Sequence, residues 1–374
     1  MSRFDVAVLG AGILGASAAW RLAQAGARVA LLEMEARPGY HTTGRSAALY
    51  ETAYGPDPIR RLTLAAGEFL TAPPAGFAAA PVLAPRGTMF VATRARSADV
   101  DRALAEALPG TVREIERAEA RARCPALNPE WLDRALLNED AQDIDVAALH
   151  QGYLRGFKAA GGTLVCDAEA TGLARSGGVW RIATRAGAFE ATTLVNAGGA
   201  WADAIAALAG VPGVGLVPKR RTAFVFETEF DARTWPFVCE IVEDFYFKPE
   251  AGLIFASPAD ETPSPPCDAQ PEDIDVAECA AAIETATALR VGRIKRKWAG
   301  LRCFVADRCP VVGRDPAEKS FVWLAAPGGY GIMTSPALSE LCASLALDRP
   351  APPALARHGV DPSRLSPARL RAAA

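Results

Sequence analysis

Gly10-Ala11-Gly12-Ile13-Leu14-Gly15 is the first place in this 374-residue chain where residue types and spacing suit a definite chemistry. The apolar run Phe4 to Leu9 leads into it, and an Ala-rich stretch follows, with Leu14, Ala18 and Leu22 at helical spacing up to Gly26. A second apolar run, Val29 to Leu32, ends on Glu33. Strand, Gly-rich turn, helix and a second strand tipped by an acid is the layout of a dinucleotide-binding unit. Gly10 permits the tight turn, Gly12 lets the backbone approach a pyrophosphate, and Gly15 lets helix and strand pack closely. N–H groups at the helix start favour the phosphate charge, and Glu33 would accept from ribose hydroxyls. The motif does not say which dinucleotide. A Gly-rich loop with no ligand is the competing reading, and the flanking strand, helix and acid in the right order weigh against it.

Two further residues invite chemistry for a different reason. Arg221 and Arg302 fall on strand-like apolar stretches, where an unpaired charge is costly. Tyr246 sits between Phe245 and Phe247 in a hairpin-like segment, where simple packing is the competing reading of an aromatic run. His41 reads as structural, and His150 as a residue on a solvated helix face.

A chain of this length is expected to form two domains. Half of its residues are apolar and 22% are charged, as in ordinary globular proteins. The net charge of −3 argues against nucleic acid as a partner, because phosphate backbones demand a basic surface. Eight cysteines with no Cys-x-x-Cys pair point to neither a zinc site nor a disulfide framework, so no metal is expected and a reducing cytosol is the default. Arg3 followed by apolar residues superficially resembles a signal peptide, but its glycines fall at the positions of the dinucleotide turn. No run approaches the ~20 apolar residues of a membrane span. The expected protein is cytoplasmic, at most peripheral to a membrane.

The segment from Arg37 to Leu49 is too polar for a core strand and suits an extended arm along a large cofactor. Asp57 is expected to cap a helix with Pro58 at its first position and Ile59, Leu62, Ala66 and Phe69 on its buried face. Thr88 to Ala92 reads as a strand, 99–123 as helical, and Asp145 as the cap of a helix ending at Gly161-Gly162. Residues 179–195 suggest an antiparallel pair running into the turn Ala197-Gly198-Gly199. Residues 216–257 are strand-rich, with a hairpin through Pro249 to Gly252. A proline-rich loop, a helix near 274–288 and strands at 298–305 and 321–325 follow. The last strand runs into Gly328-Gly329-Tyr330-Gly331, and Ser335-Pro336 marks a helix start. The final two dozen residues look like a surface tail. Gly-containing turns at the start, near 197 and near 329 imply an α/β fold. Its Rossmann-like cofactor domain is discontinuous (1–80, 141–215 and 296–374). An α+β substrate domain with an antiparallel-rich sheet comes from 81–140 and 216–295.

Several ordered matches go beyond these patterns. Gly39-Tyr-His-Thr-Thr-Gly-Arg-Ser-Ala-Ala48, Asp143-Ile-Asp145, Gln151-Gly-Tyr-Leu-Arg-Gly156, Pro218-Lys-Arg-Arg221, Trp298-Ala-Gly-Leu-Arg302 and Gly328-Gly-Tyr-Gly-Ile332 span nearly the whole chain. With them the chain resembles the D-amino-acid oxidase and glycine oxidase family of FAD-dependent oxidoreductases, and within it the catabolic D-arginine dehydrogenases. The resemblance implies non-covalent FAD between two domains. Gly10, Gly12, Gly15 and Glu33 would hold its ADP part. Arg45, Ser46, Ala47, Ala197 and Gly198 would line the flavin and pyrophosphate. Gly329, Gly331, Ile332, Met333 and Thr334 would lie along the flavin's N1–C2=O edge. Cys303, beside Arg302, reads as a buried free thiol.

The same resemblance implies that Arg221 and Arg302 clamp a substrate carboxylate, a task suited to a planar, permanently charged fork. Tyr246 would add a hydroxyl, Tyr54 would stand on a loop over the site, and the Gly329 carbonyl would accept from the substrate amine. It implies oxidative deamination of a D-amino acid, with hydride passing from Cα to flavin N5 and the imino acid hydrolysing to a 2-oxo acid and ammonia. A quinone or another acceptor is expected in preference to oxygen. The side-chain pocket departs from the D-arginine pattern. That pattern has His, Thr, Glu and Gln where this chain has Leu49, Glu51, Thr88 and Met333; Phe237 and Cys239 are further candidates for the pocket wall. Either Glu51 supplies the missing charge or the pocket prefers apolar side chains. The alternatives to deamination are an oxygen-using glycine, sarcosine or secondary-amine oxidase, a nicotinamide dehydrogenase, and a non-catalytic dinucleotide-binding protein.

Overall fold

Five parallel strands from distant parts of the chain lie side by side in the order Thr163–Val165, Val29–Leu32, Ser2–Leu9, Gly187–Asn196 and Phe321–Ala325. The structure, a computed structural model, describes residues 2–371. Val6, Ala7, Val8 and Leu9 of the first strand and all of Val29–Leu32 are apolar and buried because helices cover the sheet, as parallel sheets require. The helix Ile13–Gln24 packs between Val146–Ala159 and Gly331–Ala346, and all three carry mostly small or apolar side chains on their contact faces. The antiparallel pair Val179–Thr184 and Gly187–Asn196 extends this eight-stranded sheet, as the alternation predicts.

A second, nine-stranded sheet is antiparallel except where Phe237–Glu240 runs alongside Thr88–Ala92. Its backbone is the pairing of Val217–Phe226 with Ile294–Phe304, in register from Val217↔Phe304 to Val225↔Arg296, with a shift before Phe226↔Ile294. The expected division at residue 296 therefore cuts through a strand of this sheet. The predicted hairpin is Tyr246–Glu250 and Leu253–Ser257, turning through Ala251 and Gly252. Both turn residues have positive φ (50° and 82°), the geometry whose twist matches paired strands.

Several local expectations are corrected. Asp57 is the first helical residue rather than the cap: Pro56 takes the cap position, and the Asp57 carboxylate accepts from Arg61 Nε at 2.8 Å. Residues 99–123 are not one helical stretch. Helices Ser97–Glu106 and Arg117–Arg123 flank the strand Arg113–Ile115, and Pro109-Gly110 breaks the run. The last long helix starts at Gly331, so Pro336 lies inside it. The proline cannot donate to the Ile332 carbonyl, and the Ser335 hydroxyl donates to that oxygen instead, at 2.9 Å. The C-terminal segment is docked rather than loose. Leu355, Val360 and Leu365 are buried, while Arg369 pairs with Asp307 and Arg371 with Asp315. Among the described residues no helix is long and apolar enough to cross a membrane.

Candidate active site

The C-terminal ends of the parallel strands open onto one cleft, as expected of such sheets. Its first part, of about 1250 Å³, is lined by Gly10, Gly12, Glu33, Thr43, Ala197 and Gly198. It continues through Gly12, Arg45 and Ala197 into a chamber of about 970 Å³ bordered by Ser46, Ala47, Arg221, Gly329, Gly331 and Ile332. Beyond Tyr246, Arg302 and Gly329 lies a third cavity of about 620 Å³. One channel thus joins the Gly-rich turn to both arginines.

Gly10 and Gly15 have no room for a side chain. Gly10 has φ 94°, and a Cβ there would lie 2.5 Å from the Ala197 carbonyl oxygen. A Cβ on Gly15 would lie 1.8 Å from the Gly10 oxygen, so Gly15 supports the turn without lining the cleft. Glu33 is buried, its carboxylate accepting from Ala11 N (2.7 Å) and Glu35 N (3.0 Å). Burial pushes its carboxyl above the usual range, against these two backbone donors. At the helix start, Ile13 N donates to Thr43 Oγ1 at 3.0 Å, tying the polar arm to the turn. His150 is not on a solvated face. It is buried, with Nε2 2.9 Å from the Ala11 carbonyl oxygen, and burial lowers its pKa. Its helix also packs inward through Leu149 and Tyr153, so periodicity places it at the edge of the buried stripe. His41 bonds Glu35 at 2.8 Å and packs against Trp201. The Arg45 guanidinium is spent on the carbonyls of Ala269 and Ala299 and on Asp268, binding the arm to the second sheet. Thr334 does not reach the channel; its hydroxyl donates to Tyr330 O within the helix.

Register brings the two arginines together. Arg221 pairs with Gly300 and Lys219 with Arg302, so Arg221 and Arg302 are diagonal neighbours on one sheet face. Arg221 is 7% exposed, and its Nε and NH1 nitrogens have no hydrogen-bond partner. Glu243 and Glu261 stand 3.8 and 3.6 Å from its guanidinium, near enough to neutralise but not to saturate it. Arg302 donates weakly to Tyr54 Oη (3.4 Å), and the Tyr54 hydroxyl donates to Glu243 Oε2 (2.9 Å). Burial opposes the Arg302 charge, but Tyr54, Tyr246 and Glu243 together hold its pKa raised. Tyr246 stacks on Phe237 and lies 5.9 Å from the Arg221 guanidinium carbon. Gly329 backs onto Arg302, where a Cβ would meet NH1 at 2.6 Å. Cys303 lines the middle chamber as a buried thiol pushed up to about 12 by burial.

Leu49, Glu51, Thr88, Phe237, Cys239 and Met333 all line the third cavity together with Tyr54, Tyr246 and Arg302. Glu243 and Phe90 also line it and were missed from sequence. Glu243 sits in a turn between strands with φ 65°, and an acid beside Asp244 reads as solvated until the turn is folded over the arginines.

A family model described as FAD dependent oxidoreductase, DAO, matches residues 5–345. The chain belongs to this family, and FAD is its cofactor. It is similar in fold to L-proline dehydrogenase from P. horikoshii, at 21% identity and a TM-score of 0.85, over 100% of this chain and 99% of that one. Glycine oxidase from Geobacillus kaustophilus aligns at 20% identity and a TM-score of 0.84, over 98% of both chains. L-amino acid deaminase from Proteus vulgaris aligns at 21% identity and a TM-score of 0.77, over 98% and 94%. The cleft fits such a cofactor: Gly10 and Gly15 admit no Cβ, a buried carboxylate stands at the second strand's tip, and an elongated channel runs on toward the arginines.

Proposed function

We propose that the protein oxidatively deaminates D-amino acids to 2-oxo acids and ammonia by way of the imino acid. The observation that carries this reading is the buried Arg221 guanidinium, with two nitrogens lacking hydrogen-bond partners, set diagonally from Arg302 beside the cofactor chamber. An unsatisfied buried guanidinium costs several kcal/mol, and a carboxylate bound in bidentate fashion relieves that cost. Arg221 and Arg302 hold the carboxylate, and Tyr246 closes the same wall. Tyr54, hydrogen-bonded to Glu243, stands over the arginines and keeps bulk water from the clamp. The positive charge of two guanidiniums lowers the pKa of the substrate amine and so favours its neutral form. Bound FAD supplies the acceptor for the electron pair and hydrogen leaving Cα. No side-chain base is needed, consistent with a channel poor in histidine. The D configuration is supported by the sequence matches at 39–48, 218–221, 298–302 and 328–332.

Mixing the purified flavoprotein anaerobically with D- and L-amino acids tests this. D-amino acids are expected to bleach the flavin band near ~450 nm, and their L enantiomers to leave it. Bleaching by L-amino acids or glycine alone would overturn the D reading. Under air, hydrogen peroxide release well below turnover with an artificial acceptor is expected if a quinone or similar carrier replaces oxygen. Tyr54→Phe removes a hydroxyl that touches both Glu243 and Arg302. It is expected to lower kcat/KM roughly tenfold, the scale of one or two hydrogen bonds at ~1 kcal/mol each. An unchanged kcat/KM would remove Tyr54 from the site.

A further inference from the structure

We propose that His150 is a positioning residue for the cofactor: by donating to the Ala11 carbonyl it turns the Gly12 N–H into the cleft, as a donor for the FAD pyrophosphate. The assignment concerns how FAD is held and is independent of which substrate is oxidised.

Three successive peptide groups make up the turn, and a side chain from a different segment holds each of them. In the first, Ala11 N donates to Glu33 Oε2 at 2.7 Å, at the tip of the second strand. In the third, Ile13 N donates to Thr43 Oγ1 at 3.0 Å, on the polar arm. In the second, the Ala11 carbonyl oxygen lies 2.9 Å from His150 Nε2, on the helix Val146–Ala159. The other end of this middle group, Gly12 N–H, donates to no atom of the chain among the described residues. Carbonyl and N–H point in opposite directions in a trans peptide, so a carbonyl fixed on His150 turns the Gly12 N–H away from that helix. Gly12 borders both the first part of the cleft and the middle chamber, whereas His150 borders neither.

The middle group needs such a lock. A glycine at position 12 lets the Ala11–Gly12 peptide rotate at little steric cost, a freedom that a side chain would restrict. A flipped peptide would aim its carbonyl at the phosphates, replacing a donor with a repelling dipole. His150 is well fixed for the task. It is 4% exposed, and burial lowers its pKa, so the imidazole is neutral with one N–H, which the Ala11 carbonyl assigns to Nε2. Gly39 leaves room for the ring: a Cβ there would lie 2.9 Å from His150 Cε1. Further along the same helix, a Cβ on Gly156 would lie 2.5 Å from Trp20 Nε1. The backbone that carries His150 thus sits hard against the helix that follows the turn.

The test follows FAD release from diluted holoenzyme, read as recovered flavin fluorescence, for wild type, His150→Gln and His150→Leu. Glutamine keeps an N–H donor of similar reach, and leucine fills similar space without one. His150→Leu is expected to release FAD roughly tenfold faster, the scale of one hydrogen bond to a charged group, and His150→Gln to stay within about threefold of wild type. A lower Tm with wild-type release would make His150 a residue of the fold alone and overturn the assignment. Equally fast release from both variants would overturn it as well, because packing rather than the donor would then hold the turn. Should His150→Leu fail to fold, nitrogen NMR of the histidine-labelled wild-type holoenzyme decides, a tractable measurement in a chain with three histidines. The Nε2–H tautomer at His150 supports the assignment, and the Nδ1–H tautomer overturns it.

Discussion

Arg221→Met is expected to lower kcat/KM for the amino-acid substrate by about 2–5 kcal/mol, roughly 30-fold to several thousand-fold, with little loss of folding stability. The two effects separate because of what Arg221 does and does not touch. Nε and NH1 have no partner in the chain, and the nearest carboxylate oxygens are 3.6 and 3.8 Å from the guanidinium. Removing this side chain therefore breaks no strong internal hydrogen bond, and methionine fills similar space without a charge to desolvate. A structural arginine would behave in the opposite way, with Tm falling and turnover kept. Arg302→Met is expected to show the same loss of efficiency with a larger stability cost, because Arg302 also bonds Tyr54 and packs on Gly329. Steady-state kinetics with an artificial acceptor, paired with thermal melts, checks both. If Arg221→Met keeps its efficiency within threefold, the carboxylate clamp is wrong.

Gly15→Ala is expected to abolish flavin retention and to destabilise the fold by more than ~3 kcal/mol. The added Cβ would stand 1.8 Å from the Gly10 oxygen, a backbone atom of the turn itself, and 3.3 Å from the Ala197 Cβ. Neither the helix nor the turn can retreat, since the helix is buried along nearly its whole length and Gly10 is wedged against Ala197. The contrasting variant is Gly26→Ala. Gly26 has φ 91° but open space around it, so only the backbone penalty of about 1–2 kcal/mol applies and flavin should be retained. The ratio of flavin absorbance to protein, read beside Tm, distinguishes the two. Flavin-replete Gly15→Ala protein with a normal Tm would contradict the packing described.

Local patterns carried much of this architecture. The Gly10 to Glu33 unit was readable because strand, turn and helix are adjacent in sequence and each glycine answers a short-range steric demand. Val29–Leu32 and Phe321–Ala325 were bounded correctly from apolar runs alone; the hairpin was legible from its turn residues, although Pro249 and Glu250, read as turn, pair within the strand. Errors arose where a local signal competes with a distant contact. Ser335-Pro336 resembles a helix start, yet the glycines before it let the helix begin at Gly331 and a serine hydroxyl repairs the bond that Pro336 removes. The C-terminal residues look tail-like by composition, but Leu355, Val360 and Leu365 have a core waiting for them.

The sequence by itself determined the cofactor fold, the positions of its Gly-rich turns and the apolar strands on which Arg221, Tyr246 and Arg302 ride. Tertiary structure alone decided how those side chains combine. Arg221 and Arg302 share a sheet face because Arg221 pairs with Gly300 and Lys219 with Arg302; a one-residue slip would send them to opposite faces. Glu51 is a buried acid rather than a solvated one because Asn138, from another sheet, and Ala53 N hold one of its oxygens. Residue type and local spacing specify which groups are available. Whether a charge is solvated, paired or left waiting for a ligand depends on what the folded chain packs against it, and that is set by contacts between segments far apart in sequence.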